Sequence, residues 1–165
     1  MAPHYWAGGE RHALEPAADW LAIDTRAADE AGLGREVAAL PVGSTLPSGM
    51  IFVERADCDD DLCTRLSAAG AAREAYRSGR ALVVLMPEVR LEIDEGRDGD
   101  ALRAVEASGV PAEITDEGSG RMTLRPRSGK GEDALDLANY LHKHLRPAAS
   151  SVRMLQVVPK PPRNR

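Results

Sequence analysis

The sequence predicts an α+β fold in two similar units, because one order of secondary-structure elements occurs twice along its 165 residues. An alternating strand at residues 19–24 has a counterpart at residues 90–95, an offset of about 70 residues that is typical of an internal repeat. A second apolar run and a closing strand repeat at a similar offset, at residues 50–53 and 122–124 and at residues 81–86 and 152–158. Two copies are too few for a solenoid, so we interpret the pattern as tandem duplication of a small domain with antiparallel sheets.

The composition is that of a globular protein, with 43% hydrophobic and 28% charged residues. A unit of about 70 residues buries too little surface to be stable by itself, so we expect the two halves to pack together. The net charge is −5, and there is no basic stripe with interleaved aromatic residues. These two features argue against nucleic acid as a partner.

Targeting signals and cysteines indicate the compartment. The amino-terminal residues contain no basic stretch followed by an apolar run, and no segment is long and apolar enough to span a bilayer. We therefore expect a cytoplasmic protein with no membrane partner. Cys58 and Cys63 are the only cysteines, and we interpret them as a reduced pair. A local disulfide and half of a metal site remain as alternatives.

The first half of the chain predicts a hairpin and then a helix. Residues 10–14 and 20–24 alternate as strands, and a turn is expected between them because Pro16 cannot continue a ladder. Residues 27–40 are rich in Ala, Leu and Glu and predict a helix that ends at Pro41.

The remainder of the first half predicts a loop at residues 41–49, a buried strand at 50–53 and a second helix. An apolar stripe from Leu62 to Tyr76 follows an acidic first turn, where the helix dipole favours negative charge. Residues 81–86 form a continuous apolar run that predicts an interior strand. Pro87 is expected to break that strand, so the first unit, with its amino-terminal hairpin, is predicted to cover residues 1–87.

The second half shows the clearer pattern. It predicts a strand, a helix, a hairpin, a helix and a last strand, at residues 91–94, 98–108, 110–115 with 121–125, 132–145 and 152–158. This strand-helix-strand-strand-helix-strand order is the ferredoxin-like split βαβ arrangement. We therefore predict two tandem ferredoxin-like (βαββαβ) units, with the second at residues 88–159 and a flexible carboxyl-terminal tail at residues 160–165.

No motif for catalysis, metal binding or cofactor binding is present. The four histidines are not accompanied by a Gly-x-Ser-x-Gly turn. His142 and His144 are two positions apart on a helix, which places their rings on different sides rather than on one metal-binding face. The glycine-rich stretches at residues 118–120 and 128–131 lack the phosphate-loop pattern. We therefore predict a protein that is not an enzyme and that needs no metal or cofactor.

The candidate partner-binding residues are two tryptophans and the carboxyl-terminal segment. Trp6 and Trp20 are the largest apolar groups, and each is expected to be buried or to anchor a partner. Prolines keep the segment that contains Val157, Val158, Pro159 and Lys160 extended, so it loses little conformational freedom on binding. Such a segment is suited to adding a strand to the edge of another protein, with a solvated basic tail as the alternative.

The order of several stretches resembles the amino-terminal prodomains of subtilisin-like serine proteases (inhibitor I9-like), in particular the tandem type of fervidolysin-like precursors. The matching stretches span most of the chain: residues 5–14, 19–23, 90–95, 104–110, 137–141 and 158–159. Domains of that family are ferredoxin-like and act as intramolecular chaperones and inhibitors of the protease. The open sheet lies against two surface helices of the protease, and the tail enters the active-site cleft.

The resemblance implies roles for the candidate residues. Val157, Val158, Pro159 and Lys160 would occupy the substrate subsites of a serine protease. Asp116 or Glu117, at the hairpin of the second unit, would meet the positively polarised amino termini of the protease helices.

Two departures from the family limit what it implies. The sequence has no protease domain, so any inhibition acts in trans, and Pro161 after Lys160 is expected to resist cleavage there. Two other functions remain open. One is a non-catalytic adaptor module of the same fold, and the other is a tandem regulator that binds a small ligand between its halves.

Overall fold

The computed structural model describes residues 3–146 and 148–159. The described chain is a mixed α+β protein with mostly antiparallel strand pairing and five α-helices. It divides into two compact units. We call Leu14–Val84, with the residues from Leu155 onward, unit I, and Leu85–Met154, with the amino-terminal residues up to Ala13, unit II. The predicted domain boundary at Pro87 lies close to this division but stays a prediction.

The amino-terminal hairpin of unit II consists of β1 (His4–Ala7) and β2 (Glu10–Ala13), which pair antiparallel. Its turn is Gly8-Gly9, and both glycines have the positive φ, 60° and 81°, that glycine adopts without steric cost. The predicted hairpin of residues 10–14 with 20–24 is therefore wrong. Residues 15–18 belong instead to one long strand, and Pro16 is accommodated because the register shifts after it.

Unit I is built around that long strand. Its elements are β3 (Glu15–Asp24), α1 (Thr25–Glu30), α2 (Gly34–Ala38), β4 (Val42–Thr45), a 3-10 turn (Pro47–Gly49), β5 (Met50–Glu54), a second 3-10 turn (Arg55–Asp57), α3 (Asp60–Ala68), β6 (Ala72–Ser78) and the start of β7 (Ala81–Ile93). The strand order is β4-β5-β3-β6, and each of these neighbours pairs antiparallel. Buried residues of β3 and β5 pack with residues of the three helices into one hydrophobic core.

Two helix predictions in unit I are corrected. The single helix at residues 27–40 is two short helices, because Gly32 adopts a positive φ of 76° between them. The helix expected to reach Tyr76 ends at Ala68. Gly70 has a positive φ of 69°, and the Ala71 N–H donates to the Leu66 carbonyl at 2.9 Å. This is the glycine-terminated helix end known as a Schellman motif, and it redirects the chain into β6.

The predicted break at Pro87 is also wrong, because β7 runs through it without interruption. Residues of β7 up to Val84 pair with β6, and those from Val89 onward pair with β9 (Arg121–Pro126). Pro87 lies between these two sets of pairs, so its missing N–H interrupts neither ladder.

The rest of unit II confirms the predicted element order of the second half. It contains the later part of β7, α4 (Asp98–Ala107), β8 (Ala112–Gly118), β9, α5 (Gly131–His144) and β10 (Ala148–Val157), whose last three residues belong to unit I. The strand order is β7-β9-β8, and β10 pairs with β7. The last strand starts at Ala148 rather than at residue 152, and the turn of the β8–β9 hairpin is displaced toward Gly118, Ser119 and Gly120.

The helices of unit II cover one face of its strands. Val89, Leu91 and Ile93 alternate as buried residues along β7, and α4 and α5 contribute buried Ala101, Val105 and the stripe of α5. Gly131, at the start of α5, lies directly against the backbone carbonyl of Leu85. The intervening residues of β7 point to the opposite face of the strand.

Candidate partner-binding surface

Charged and polar side chains line the face of the unit II strands opposite to α4 and α5. Along β7 they alternate with the buried residues Val89, Leu91 and Ile93, as the two-residue period of a strand requires. We call this surface the open face and define it by Glu88, Arg90, Glu92, Thr115, Glu117, Arg121, Thr123 and Arg125.

The strand register brings these side chains together across neighbouring strands. Arg90 lies opposite Thr123, and Glu92 lies opposite Arg121. The Arg121 guanidinium approaches the Glu92 carboxylate at 3.7 Å, and both side chains are about two-thirds exposed (68% and 65%). Such an exposed pair contributes little to stability, so these charges are available to an incoming partner at small cost.

Glu88 is the most enclosed charged group of the open face, with its side chain only 16% exposed. Three guanidinium groups approach its carboxylate at 3.7–3.9 Å, those of Arg90, Arg125 and Arg153. One carboxylate therefore holds three cations together. The result is a locally positive centre flanked by Glu92 and Glu117, so the open face presents both signs of charge.

The β8–β9 hairpin carries the two acidic residues that the sequence analysis selected. Asp116 and Glu117 are both exposed. The Asp116 carboxylate accepts a hydrogen bond from the Gly118 N–H at 2.8 Å, which stabilises the turn, and the Thr123 hydroxyl donates to the Glu117 carboxylate at 2.6 Å. Glu117 therefore belongs to the open face, whereas Asp116 stabilises the turn.

The carboxyl-terminal segment continues directly from β10. Val157 is the last residue of that strand, Val158 is 63% exposed and Pro159 is half-buried. Lys160 lies outside the described residues.

Trp6 is half-buried at the contact between the hairpin and α5. Its ring stacks on His142, and the Asn139 side-chain amide donates to the His4 carbonyl at 2.8 Å. Burial lowers the pKa of His142, with the nearby positive charge of Arg146 acting in the same direction. Trp6 therefore attaches the hairpin to the helix and lies outside the open face.

Trp20 is also half-buried and belongs to unit I. It lies on β3 and its ring covers Gly43 of β4, where no side chain competes for the space. The ring thus fills a position within the sheet. Of the predicted site residues in unit II, Glu117 lies on the open face, whereas Trp6 and Asp116 do not.

Sequence reasoning missed most of the open face. The alternation in residues 90–94 signalled that Glu92 faces away from the core. The sequence did not reveal that Glu88 belongs to this face, because Pro87 was predicted to end the strand. The cluster of Arg125 and Arg153 around Glu88 has no local signal, since its members come from three different strands.

The comparisons with known proteins add no family. No protein-family model matches the chain, and no curated protein matches it. The resemblance to subtilisin prodomains therefore stays a prediction. In the part of the chain that the structure describes, no helix is long and apolar enough to cross a membrane. Among the same residues, no group of three or more His, Cys, Asp or Glu side chains is placed to hold a metal ion.

Proposed function

We propose that this chain is a non-catalytic protein-binding module that binds a serine protease in trans, as an inhibitor or chaperone resembling the prodomains of subtilisin-like proteases. The open face docks on the protease surface, and the segment after β10 enters the substrate cleft. The observation that carries this proposal is the charged open face, whose Glu88 contacts Arg153 of β10, the strand that runs on to the exposed Val158.

The strand orders support the tandem ferredoxin-like part of the proposal. In unit I the chain forms β3, helices, β4, β5, α3 and β6, and in unit II it forms β7, α4, β8, β9, α5 and β10. In each unit the first strand lies between the third and the fourth, and the second strand is at the edge. This is the element order of the split βαβ fold.

The charges of the open face support docking through electrostatic complementarity. Helix amino termini carry partial positive charge, and Glu92 and Glu117 are exposed acidic groups suited to meet them. The arginines gathered by Glu88 would face acidic groups of the partner. Complementary charge of this kind increases the association rate and fixes the orientation of docking more than it adds affinity.

The tail supports binding by strand addition. Backbone hydrogen bonds from an extended segment give affinity, and alternate side chains enter pockets and give selectivity. Val158 is exposed and Val157 is half-buried at the strand end, so Val158 is the described side chain best placed to enter a subsite. Pro161 would then protect the bond after Lys160, because proline provides no N–H after the scissile bond.

Inhibition of purified subtilisin tests the proposal. We expect the intact chain to inhibit the enzyme, and the chain truncated after Gln156 to lose inhibition. The variant Arg121→Glu reverses an exposed charge of the open face and should weaken inhibition several-fold. Arg26→Glu is its matched control, since Arg26 is likewise an exposed arginine that pairs with one glutamate, Glu30, and it belongs to unit I.

Two results would count against a prodomain-like inhibitor. One is the absence of inhibition by an intact chain whose circular dichroism spectrum shows that it is folded. The other is inhibition that truncation and Arg121→Glu leave unchanged. After prolonged incubation, mass spectrometry showing cleavage after Lys160 would contradict the protective role of Pro161.

A groove in unit II favours an adaptor as the second candidate function. It has a volume of about 390 Å³ and is lined by residues of α4 and β8, including Leu102, which is 48% exposed. The lining of the groove is mostly apolar, with Glu106 and Arg127 as its charged members. A non-protease partner that binds the chain truncated after Gln156, but not the Leu102→Lys variant, would support this function.

A further inference from the structure

Two thiols lie in direct contact at the start of α3 in unit I. The Sγ atoms of Cys58 and Cys63 are 2.9 Å apart, and both cysteines are free. A disulfide bond is about 2.05 Å long, so a small displacement would bring the two sulfurs to bonding distance. The proposed protease binding uses neither thiol.

The local backbone permits the displacement. Cys58 lies between the second 3-10 turn and α3, and its backbone is extended, with φ −103° and ψ 114°. It is therefore outside the regular helix, and a shift there breaks no α-helical hydrogen bond. Asp59 caps α3 by accepting the Leu62 N–H at 2.7 Å, and this contact keeps Cys63 in place within the first turns of the helix.

The two thiols differ in access to solvent. Cys58 is 5% exposed and belongs to the core of unit I, whereas Cys63 is partly exposed at the edge of that core. Burial, followed by its contact with Cys63, raises the pKa of Cys58 to about 12. Cys63 is the more accessible thiol, so it meets an external reagent first. The thiolate is the reactive form, so the raised pKa of Cys58 makes it the second thiol to react.

We propose that Cys58 and Cys63 are a redox-reactive dithiol that a low-molecular-weight disulfide of the glutathione type converts to an intramolecular disulfide. The Cys63 thiolate attacks one sulfur of the small disulfide, forms a mixed disulfide and releases one small thiolate. The Cys58 thiolate then attacks Cys63 Sγ, the bond between the two cysteines forms, and the second small thiolate leaves.

The reaction balances without another component. The two protons of the cysteine thiols end on the two released small thiols, and the two electrons pass from the protein dithiol to the small disulfide. The second step needs deprotonation of a buried thiol, so the intramolecular bond should form faster as the pH rises. A small thiol in excess reverses both steps.

The disulfide would close a short covalent loop beside the amino terminus of α3. The bond would join the 3-10 turn to the helix at the edge of the unit I core. Reduced and oxidised chains should therefore differ in the resistance of unit I to unfolding. The loop closed is short, so the difference is expected to be modest.

The test is incubation of the folded chain with oxidised glutathione, followed by alkylation and intact mass spectrometry. We expect loss of two hydrogens, no alkylated cysteine, and a peptide in which Cys58 is linked to Cys63. The Cys58→Ser variant should stop at a stable glutathione adduct on Cys63, and Cys63→Ser should react many times more slowly than the wild type.

The wild-type measurement decides the proposal even if a variant does not fold. Two alkylatable thiols after incubation with excess oxidised glutathione would overturn it. A wild-type chain that accumulates only the glutathione adduct would overturn it as well. The same incubation of chain unfolded in urea is the control, because a bond that forms only there does not depend on the folded geometry.

Discussion

Trp6 stacks on His142, with ring centroids 4.4 Å apart and planes inclined by 20°. The two residues belong to β1 and α5, so this contact links the amino-terminal hairpin to the longest helix of unit II. A small cavity of about 90 Å³ lies beside it, lined in part by Trp6, Asn139 and Ser150. One of the contacts that attach the hairpin therefore involves a ring whose pKa is lowered by burial.

Acid should weaken this attachment. The pKa of His142 is lowered in the folded chain, mainly by burial, so the folded state favours the neutral ring. The folded state therefore carries no penalty above the ordinary histidine value of about 6.5, and the penalty is complete below the lowered pKa. We expect the midpoint of thermal unfolding to fall more steeply with decreasing pH in the wild type than in His142→Asn. Parallel pH profiles for the two proteins would contradict this assignment.

Gly131→Ala should destabilise unit II by about 1–3 kcal/mol, the usual cost of overpacking. A Cβ at this position would collide with the Leu85 backbone carbonyl, which has no freedom to move aside. Gly99→Ala is the control, since Gly99 is helical and its nearest neighbours are the distant ends of Arg103, at 3.8 and 3.9 Å. It should stabilise the chain by about 0.5–1 kcal/mol through helix propensity. Urea unfolding measures both changes.

Gly43 and Trp20 should be energetically coupled. A Cβ on Gly43 would come within 2.7 Å of Trp20 Cη2 and 3.2 Å of the Phe52 carbonyl oxygen. We expect Gly43→Ala to destabilise unit I by about 1–3 kcal/mol, and to cost clearly less in a Trp20→Leu background. A double-mutant cycle by chemical unfolding gives the coupling energy. Equal costs in the two backgrounds would show that the ring does not restrict this position.

The paired contact between Arg77 and Asp19 should make a small, salt-dependent contribution to stability. The two nitrogen–oxygen distances are 3.0 and 2.9 Å, and the side chains are 41% and 63% exposed. The hydrogen bond from Arg77 lowers the pKa of Asp19. The contribution is therefore complete above the ordinary carboxyl value of about 4, and it disappears as the pH falls through the lowered pKa.

Asp19→Asn measures that contribution. We expect a loss of about 0.2–1 kcal/mol near neutral pH, the range for exposed ion pairs, and a smaller loss in concentrated salt. Glu10→Gln serves for comparison, since Glu10 is an exposed residue of β2 and does not lie at a helix terminus. A loss that does not change between low and high salt would assign the effect to packing instead.

The elements with a local sequence signal could be predicted without the structure. The stripe of Leu135, Ala138 and Leu141 recurs at helical spacing, and α5 forms where that stripe predicts it. The alternation of Leu91 with Glu92 likewise predicted which side of β7 faces the core. These signals depend on neighbours within one or two turns or pleats, so no tertiary contact is needed to detect them.

The elements that are stabilised by pairing between strands could be assigned from the tertiary structure alone. Residues 72–78 suit a helix as well as a strand by composition, and they form β6 because β3 and β7 offer ladders on both sides. Pro87 is tolerated in β7 because the two ladders are on either side of it. Tertiary structure also determines the cation cluster around Glu88 and the contact between Cys58 and Cys63. Each needs atoms whose separation is set by the folded backbone, and spacing along the chain does not reveal that distance.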